Sequence, residues 1–436
     1  MFYKAQSEET GRMWDTWLYH EDGTYHLYYL ANSPGQRWDN ISMATSRDGV
    51  HWKELGPVLR KDEGVTWMGT GSTWKTPPGS SREANYQINF SQEKGPRQTI
   101  FFAESNDLVH WAALADKEFV QDERWYERNG RWDCIWTVQR PGGGLYGYWT
   151  ATPKPETGGR FGFGETLDGV TWKALPPPRV EGVGGGEVGA IEKIGQRYYM
   201  LFGHEGHMVT LIADRPQGPF RAADRNRVLL HGGPTYFARF FPTAPGGLLV
   251  NHHSIAGDGQ VWLGLLKGTH VDENGALRLV WWPGNENLKH QGVDVGPAAA
   301  GGATPMLSTT FDVDKGTILE GDVLLPEAAG VQHGLFIECA GERGAAILVD
   351  SSGIAQLGVT NSDGTGFQSQ ITVDREVGFG RPTHFRLAFN YSLLEFYLDD
   401  VLIECFSTPG EATGRVGLAS QGDREAFTNL KAWNPA

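Results

Sequence analysis

The sequence predicts an all-β protein, a five-bladed β-propeller followed by a C-terminal β-sandwich, on three observations. A tryptophan-bearing turn pattern recurs through the first two thirds of the chain. An aromatic, strand-like run precedes each copy. Beyond residue 296 the pattern stops and alternating strands of another kind take over. Short strands and turns repeating roughly every 50–60 residues mark radially arranged blades rather than a helical solenoid.

Taken in order, the turn pattern first appears as Ser46-Arg47-Asp48-Gly49-Val50-His51-Trp52. It returns as Ser105-Asn106-Asp107-Leu108-Val109-His110-Trp111 and again as Thr166-Leu167-Asp168-Gly169-Val170-Thr171-Trp172. A worn copy ends at Phe220. Such repetition predicts structural roles, with Asp48, Asp107 and Asp168 holding turns and Trp52, Trp111 and Trp172 packing blades. The aromatic runs begin at Tyr25, Gln98, Leu145 and Arg197. A fifth unit is built from Gly247 to His253 and Gln260 to Leu265, ending near Pro283. The propeller is therefore expected over residues 1–295. A small-residue linker follows at 296–304, and a sandwich at 305–436. Within the last block, Leu394 to Ile403 reads as a hairpin turning at Asp399-Asp400.

Composition narrows the function. With 38 basic and 52 acidic residues the 436-residue chain carries −14, which argues against nucleic acid or an anionic membrane as partner. The 12% aromatic content, with 59 glycines, suits stacking on carbohydrate. Cys134, Cys339 and Cys405 show neither a pairing pattern nor metal-ligand spacing. The first six residues lack a basic region followed by an apolar core. A reducing compartment is the expectation, and no cofactor is called for.

In a propeller the innermost strands line one channel, so acids far apart in sequence meet at one end of it. An acid just before the aromatic run of a blade is therefore a candidate. These are Asp15, in Arg12-Met13-Trp14-Asp15-Thr16-Trp17; Asp133, in Arg131-Trp132-Asp133-Cys134; and Glu187, after three glycines. Blade two offers small residues between Trp67 and Trp74 instead. Paired carboxylates of this kind cleave glycosidic bonds, one acting at the anomeric carbon and the other protonating the leaving oxygen. Trp14, Trp38, Trp67, Trp74 and Arg131 are the expected substrate-binding residues. Glu192 lies within a strand and is expected on a solvated or paired face. His204-Glu205-Gly206-His207 does not have the helical H-E-x-x-H spacing of a metal site. Asn251-His252-His253 is placed to face the channel; neither motif is assigned a metal.

The run Tyr25-His26-Leu27-Tyr28-Tyr29, then Asn32-Ser33-Pro34-Gly35, Trp38-Asp39-Asn40 and Ser46 to Trp52, resembles the first blade of glycoside hydrolase family 32, the β-fructofuranosidases. The spacing from Glu187 to Tyr198-Tyr199 is also similar to family 43. The resemblance implies a propeller with a C-terminal sandwich, a carbohydrate substrate, and a retaining mechanism on a furanoside. It casts Asp15 as nucleophile, Asp133 as transition-state stabiliser and Glu187 as acid/base, which requires a raised pKa at Glu187. The chain departs from the family at each motif. Trp14-Asp15-Thr16-Trp17 stands where Asn-Asp-Pro-Asn is usual, Trp132 separates Arg131 from Asp133, Val188-Gly189 follows Glu187, and Leu30 replaces a glutamine. Glycosyl transfer through the same pocket, and a sugar-binding propeller without chemistry, are the rival functions.

Overall fold

The computed structural model describes residues 2–7, 10–227, 235–243, 246–298, 304–341, 343–376, 382–420 and 426–435. It is an all-β chain in which five antiparallel sheets surround a channel, followed by a two-sheet sandwich. Blade one runs Arg12–Glu21, Thr24–Asn32, Asn40–Ser46, Lys53–Arg60 from axis to rim. Blade three has the same order over Trp132–Gln139, Leu145–Ala151, Gly162–Thr166 and Trp172–Leu175. The inner strands of the other blades are the split pair Met68–Gly69 and Thr73–Lys75, then Glu187–Ile194 and Thr235–Thr243. The inner strands of blades one and two, three and four, four and five, and five and one touch, and that of blade three meets Tyr86–Lys94 and Arg97–Ser105 of blade two, which closes the ring.

The aromatic runs seen in sequence are the second strands, whose buried faces fill the space between blades. Leu27, Tyr28, Tyr29, Ile100, Phe102, Tyr148, Trp149, Met200 and Phe202 are all buried there. Exclusion of this much apolar surface from water dominates the fold's stability. The repeated turns behave as expected. Ser46 and Asp48, Ser105 and Asp107, and Thr166 and Asp168 each receive the same backbone amides, including those of His51, His110 and Thr171 on the aspartates. These are Asx and Ser/Thr turns, local devices that satisfy the backbone where a strand ends.

One feature is common to all five inner strands. Register breaks between Trp14 and Trp17, Asp133 and Trp136, Val188 and Ala190, and Tyr236 and Arg239, and blade two splits between Gly69 and Thr73. Asp15, Cys134 and Phe237 there take positive φ of 42°, 57° and 65°. Bulges bend the strand and re-aim side chains. Crowding at the axis explains the small residues: a Cβ on Gly71 would lie 1.6 Å from the Asn89 carbonyl oxygen, and one on Gly189 2.5 Å from that of Ala238.

The sandwich pairs a six-stranded sheet, running from Met306–Thr310 to Gln368–Glu376, with a second sheet of six strands. That second sheet runs from Val401–Ser407 through Pro382–Asn390 to Phe427–Asn434 and Gln291–Val293. Since Gln291–Val293 already pairs with Ala432–Asn434, the chain enters the sandwich before the linker expected at 296–304. Residues 299–303 of that linker lie outside the described residues. The Asp399-Asp400 hairpin forms, both residues in the left-handed region.

The sandwich also joins blade five edge to edge at Val280 and Val401. Beside this seam lies a fully buried polar knot. The Glu395 carboxylate, from the sandwich, accepts from the Leu265 amide at 3.1 Å, Lys267 Nζ at 2.8 Å and Tyr397 Oη at 2.5 Å. Lys267 Nζ also lies 2.8 Å from His252 Nε2 and donates to the Leu265 carbonyl. Glu395, Lys267 and His252 are at most 1% exposed. Every strong charge here has an opposite partner and several hydrogen bonds, the condition under which buried ions are tolerated.

Candidate active site

At one end of the channel the bulged inner strands bring Asp15, Asp133 and Glu187 of blades one, three and four into one electrostatic group. Arg131 is the hub. Its Nη1 lies 2.7 Å from Glu187 Oε1 and its Nη2 3.5 Å from Asp133 Oδ2. Asp133 is buried and accepts from Ser91 Oγ at 2.6 Å, and Gln98 Nε2 in turn donates to Ser91. Gly69 makes room for it, since a Cβ there would lie 2.8 Å from Asp133 Oδ1. Asp133 is therefore locked by blade two, through Ser91 and Gly69, and by Arg131 of its own blade.

Asp15 is held differently. It occupies the bulge at a φ of 42°, a conformation that aspartate tolerates better than most residues. Its carbonyl accepts from Thr70 Oγ1 at 3.3 Å, while Asn251 Nδ2 of blade five donates to Thr16. Among the described residues no side chain hydrogen-bonds its carboxylate. Burial pushes the group up, Arg239 pulls it back, Glu187 and Asp133 push it up again and Arg131 lowers it, leaving it at about 7. Asp133 is raised too, by burial first, against Arg131 and the Ser91 hydrogen bond. Acids that repel one another inside a shared concave site are what general acid–base chemistry requires.

The rim is aromatic. Trp14, Trp38 and Trp67 are each partly exposed. Trp14 and Trp38 have centroids 5.9 Å apart, and the Trp38 carbonyl accepts from the Met68 amide beside Trp67. Arg12 lies over Trp14 at 5.2 Å and Arg37 over Trp67 at 6.0 Å. Trp74, expected among these, is elsewhere. It is 4% exposed, donates to Gln87 and packs edge-on against Trp172 between blades two and three. Its strand runs on down the channel, so three residues beyond Gly71 the side chain has left the mouth for the blade interior.

The other motifs resolve locally. His204 and His207 face each other across a hairpin whose turn, Glu205-Gly206, has positive φ throughout. Glu192 lies further along its strand from Glu187, opposite Tyr199. Of Asn251-His252-His253, Asn251 braces blade one, and His253 is buried 4.6 Å from the Trp14 ring. His252 joins the interface knot. His252, Glu395 and Cys405 offer three ligand atoms close together, but the Lys267 ammonium sits among them as the cation. Sequence reasoning missed Arg239, Ser91 and Thr70. Only Arg239 left a signal, a lone arginine in the apolar run Phe237-Ala238-Arg239-Phe240-Phe241.

Comparison with known proteins points one way. The family model "Glycosyl hydrolases family 32 N-terminal domain" matches residues 15–78, a stretch beginning at Asp15. A beta-fructofuranosidase of Arabidopsis thaliana, insoluble isoenzyme CWINV4, is 41% identical over 54 residues, 12% of this chain and 9% of that one. Among solved structures, the Bombyx mori GH32 beta-fructofuranosidase BmSUC1 superposes with a TM-score of 0.72 at 15% identity, over 98% of this chain and 92% of that one. Sucrose-6-phosphate hydrolase from Lactobacillus gasseri gives 0.71 at 13%, over 98% and 91%. Fructofuranosidase from Schwanniomyces occidentalis complexed with fructose gives 0.68 at 14%, over 100% and 97%. The chain is family 32-like, and the propeller-plus-sandwich plan extends through its whole length.

Proposed function

We propose that the chain is a glycoside hydrolase that cleaves β-fructofuranosides, or a closely related furanoside, with retention of configuration. The observation that carries this reading is the grouping of Asp15, Asp133 and Glu187, from three separate blades, around Arg131. Asp15 is the nucleophile. Of the three acids it is the one whose carboxylate no side chain among the described residues hydrogen-bonds, which leaves its lone pairs for attack on the anomeric carbon. Glu187 protonates the departing oxygen and then activates water for the second displacement. Asp133, fixed by Ser91 and Arg131, holds its charge beside the developing oxocarbenium ion and stabilises it electrostatically.

Trp14, Trp38 and Trp67 form the stacking wall for the sugar and its leaving group, and Arg131 donates to sugar hydroxyls. Sucrose, 1-kestose and inulin are the substrates to screen, with the anomer first released followed by NMR. Release of the β-anomer from a β-fructoside supports the reading. Release of the α-anomer excludes retention, and full activity in both Asp15→Asn and Glu187→Gln excludes the assignment of the acids.

A further inference from the structure

Arg239 lies at the channel axis, 0% exposed, on the inner strand of blade five. It reaches across to two other blades. Nη1 donates to the Gly71 carbonyl at 3.0 Å and lies 2.7 Å from Cys134 Sγ, and Nη2 is 3.3 Å from Thr70 Oγ1. Thr70 Oγ1 is the group that donates to the Asp15 carbonyl. All these partners are neutral. A buried cation is costly unless paired, and pairing at contact distance is how proteins usually hold one. Here the guanidinium is instead anchored by dipoles beside Asp15 and Asp133, and among the described residues its Nε has no partner. Its charge is thus left to act on the acids rather than being cancelled by one of them.

We infer that Arg239 is a positioning residue of this site, which holds the Asp15 loop through Thr70 and supplies the counter-charge that keeps the Asp15 carboxylate ready to attack. The inference rests on the hydrolase reading for its kinetic consequence but not for its electrostatic one. The charged groups facing Asp15 are Arg239 from blade five, Glu187 from blade four, and Asp133 and Arg131 from blade three. Arg239 is the strongest of the four and opposes the burial that raises Asp15. Arg131 is already committed to Glu187 and Asp133.

The test compares wild type, Arg239→Gln and Arg239→Lys. Asp15 is titrated by carboxyl-carbon NMR on aspartate-labelled protein, its signal identified with Asp15→Asn. The acid limb of kcat/KM on sucrose is followed in parallel. Loss of an opposite charge at this range raises a carboxyl pKa by roughly one to three units. Arg239→Gln should therefore move both the titration and the acid limb to higher pH by at least about one unit. Its activity deficit should be greatest at low pH and shrink as pH rises. Arg239→Lys should keep the limb near its wild-type position while lowering kcat, since the charge stays and the three-point anchor does not. Should Arg239→Gln not fold, Arg239→Lys decides alone: an unmoved Asp15 titration supports the charge role, and a shifted one overturns it. An Asp15 titration unchanged in Arg239→Gln, with activity lowered by one factor at every pH, overturns the inference. A shifted titration in a protein that cleaves no furanoside leaves the inference standing and removes the hydrolase reading.

Discussion

Two charge clusters in one chain, one sealed at the propeller–sandwich seam and one open at the channel mouth, are built on opposite plans. At the propeller–sandwich seam, Glu395 faces Lys267 and His252, and each polar atom of the carboxylate is met by a donor. In the funnel, three carboxylates share Arg131 and an Arg239 held only by neutral partners, and among the described residues no side chain hydrogen-bonds the Asp15 carboxylate. The seam spends its charges on cohesion between domains. The funnel leaves charge unpaired, which is what the proposed chemistry requires.

The contrast can be broken at either end, and the largest effect is expected in the funnel. Asp15→Asn should lower kcat on a fructoside by on the order of 10⁵ to 10⁶, the scale seen when a nucleophile is removed. Glu187→Gln should cost roughly 10² to 10⁴. Both proteins should remain folded, which far-ultraviolet circular dichroism and urea titration check. Loss of stability in Asp15→Asn at neutral pH would mean that the funnel is structural after all.

At the seam the expectation reverses. Glu395→Gln strands the Lys267 ammonium and should cost about 3–5 kcal/mol in urea unfolding, with kcat of the folded fraction unchanged. Propeller and sandwich should lose cohesion together, since hydrophobic packing also crosses the seam through Tyr397, Leu402 and Cys405.

The two clusters also differ in the sign of their pH dependence. Asp15 sits at about 7 in the fold against an ordinary 3.8, chiefly through burial, so between those values the folded chain binds the extra proton. Its contribution to stability is present at low pH and lost as pH rises through 7. At the seam, burial lowers His252 to about 4, and Glu395 is lowered by Lys267 and His252 despite its burial. For these groups stability is lost as pH falls, from about 6.5 downward for His252, where the unfolded chain takes protons the fold refuses. Urea midpoints measured from pH 4 to 8 should flatten on the neutral side in Asp15→Asn, whereas in Glu395→Gln the loss below about 6.5 should persist or steepen, because Glu395 is what raises His252 against its burial. Identical profiles in the two variants would refute the contrast.

The smallest effects separate the rim from the interior. Trp38→Ala and Trp67→Ala should raise KM severalfold, corresponding to about 0.5–1.5 kcal/mol of stacking, with little change in kcat. Trp74→Ala should leave KM alone and lower stability by roughly 3–5 kcal/mol, because it empties a packed interior.

Sequence alone determined the architecture and three of the acids. The Asp-x-x-x-Trp turns are local devices, complete within a few residues, so their repetition marks three blades and a worn fourth without knowledge of the rest of the fold, and the fifth follows from the strands and length left over. The position of Asp15, Asp133 and Glu187 followed from one rule, that inner strands converge. Tertiary structure decided what no local rule contains. Trp74 left the rim because three residues of strand carry a side chain past the mouth. Arg239 entered the site from an apolar run in a different blade, and Lys267, His252 and Glu395 met across a seam although Lys267 and Glu395 are 128 positions apart. Turn chemistry is set by neighbours in sequence, whereas the burial and partnering of a charge depend on everything packed around it.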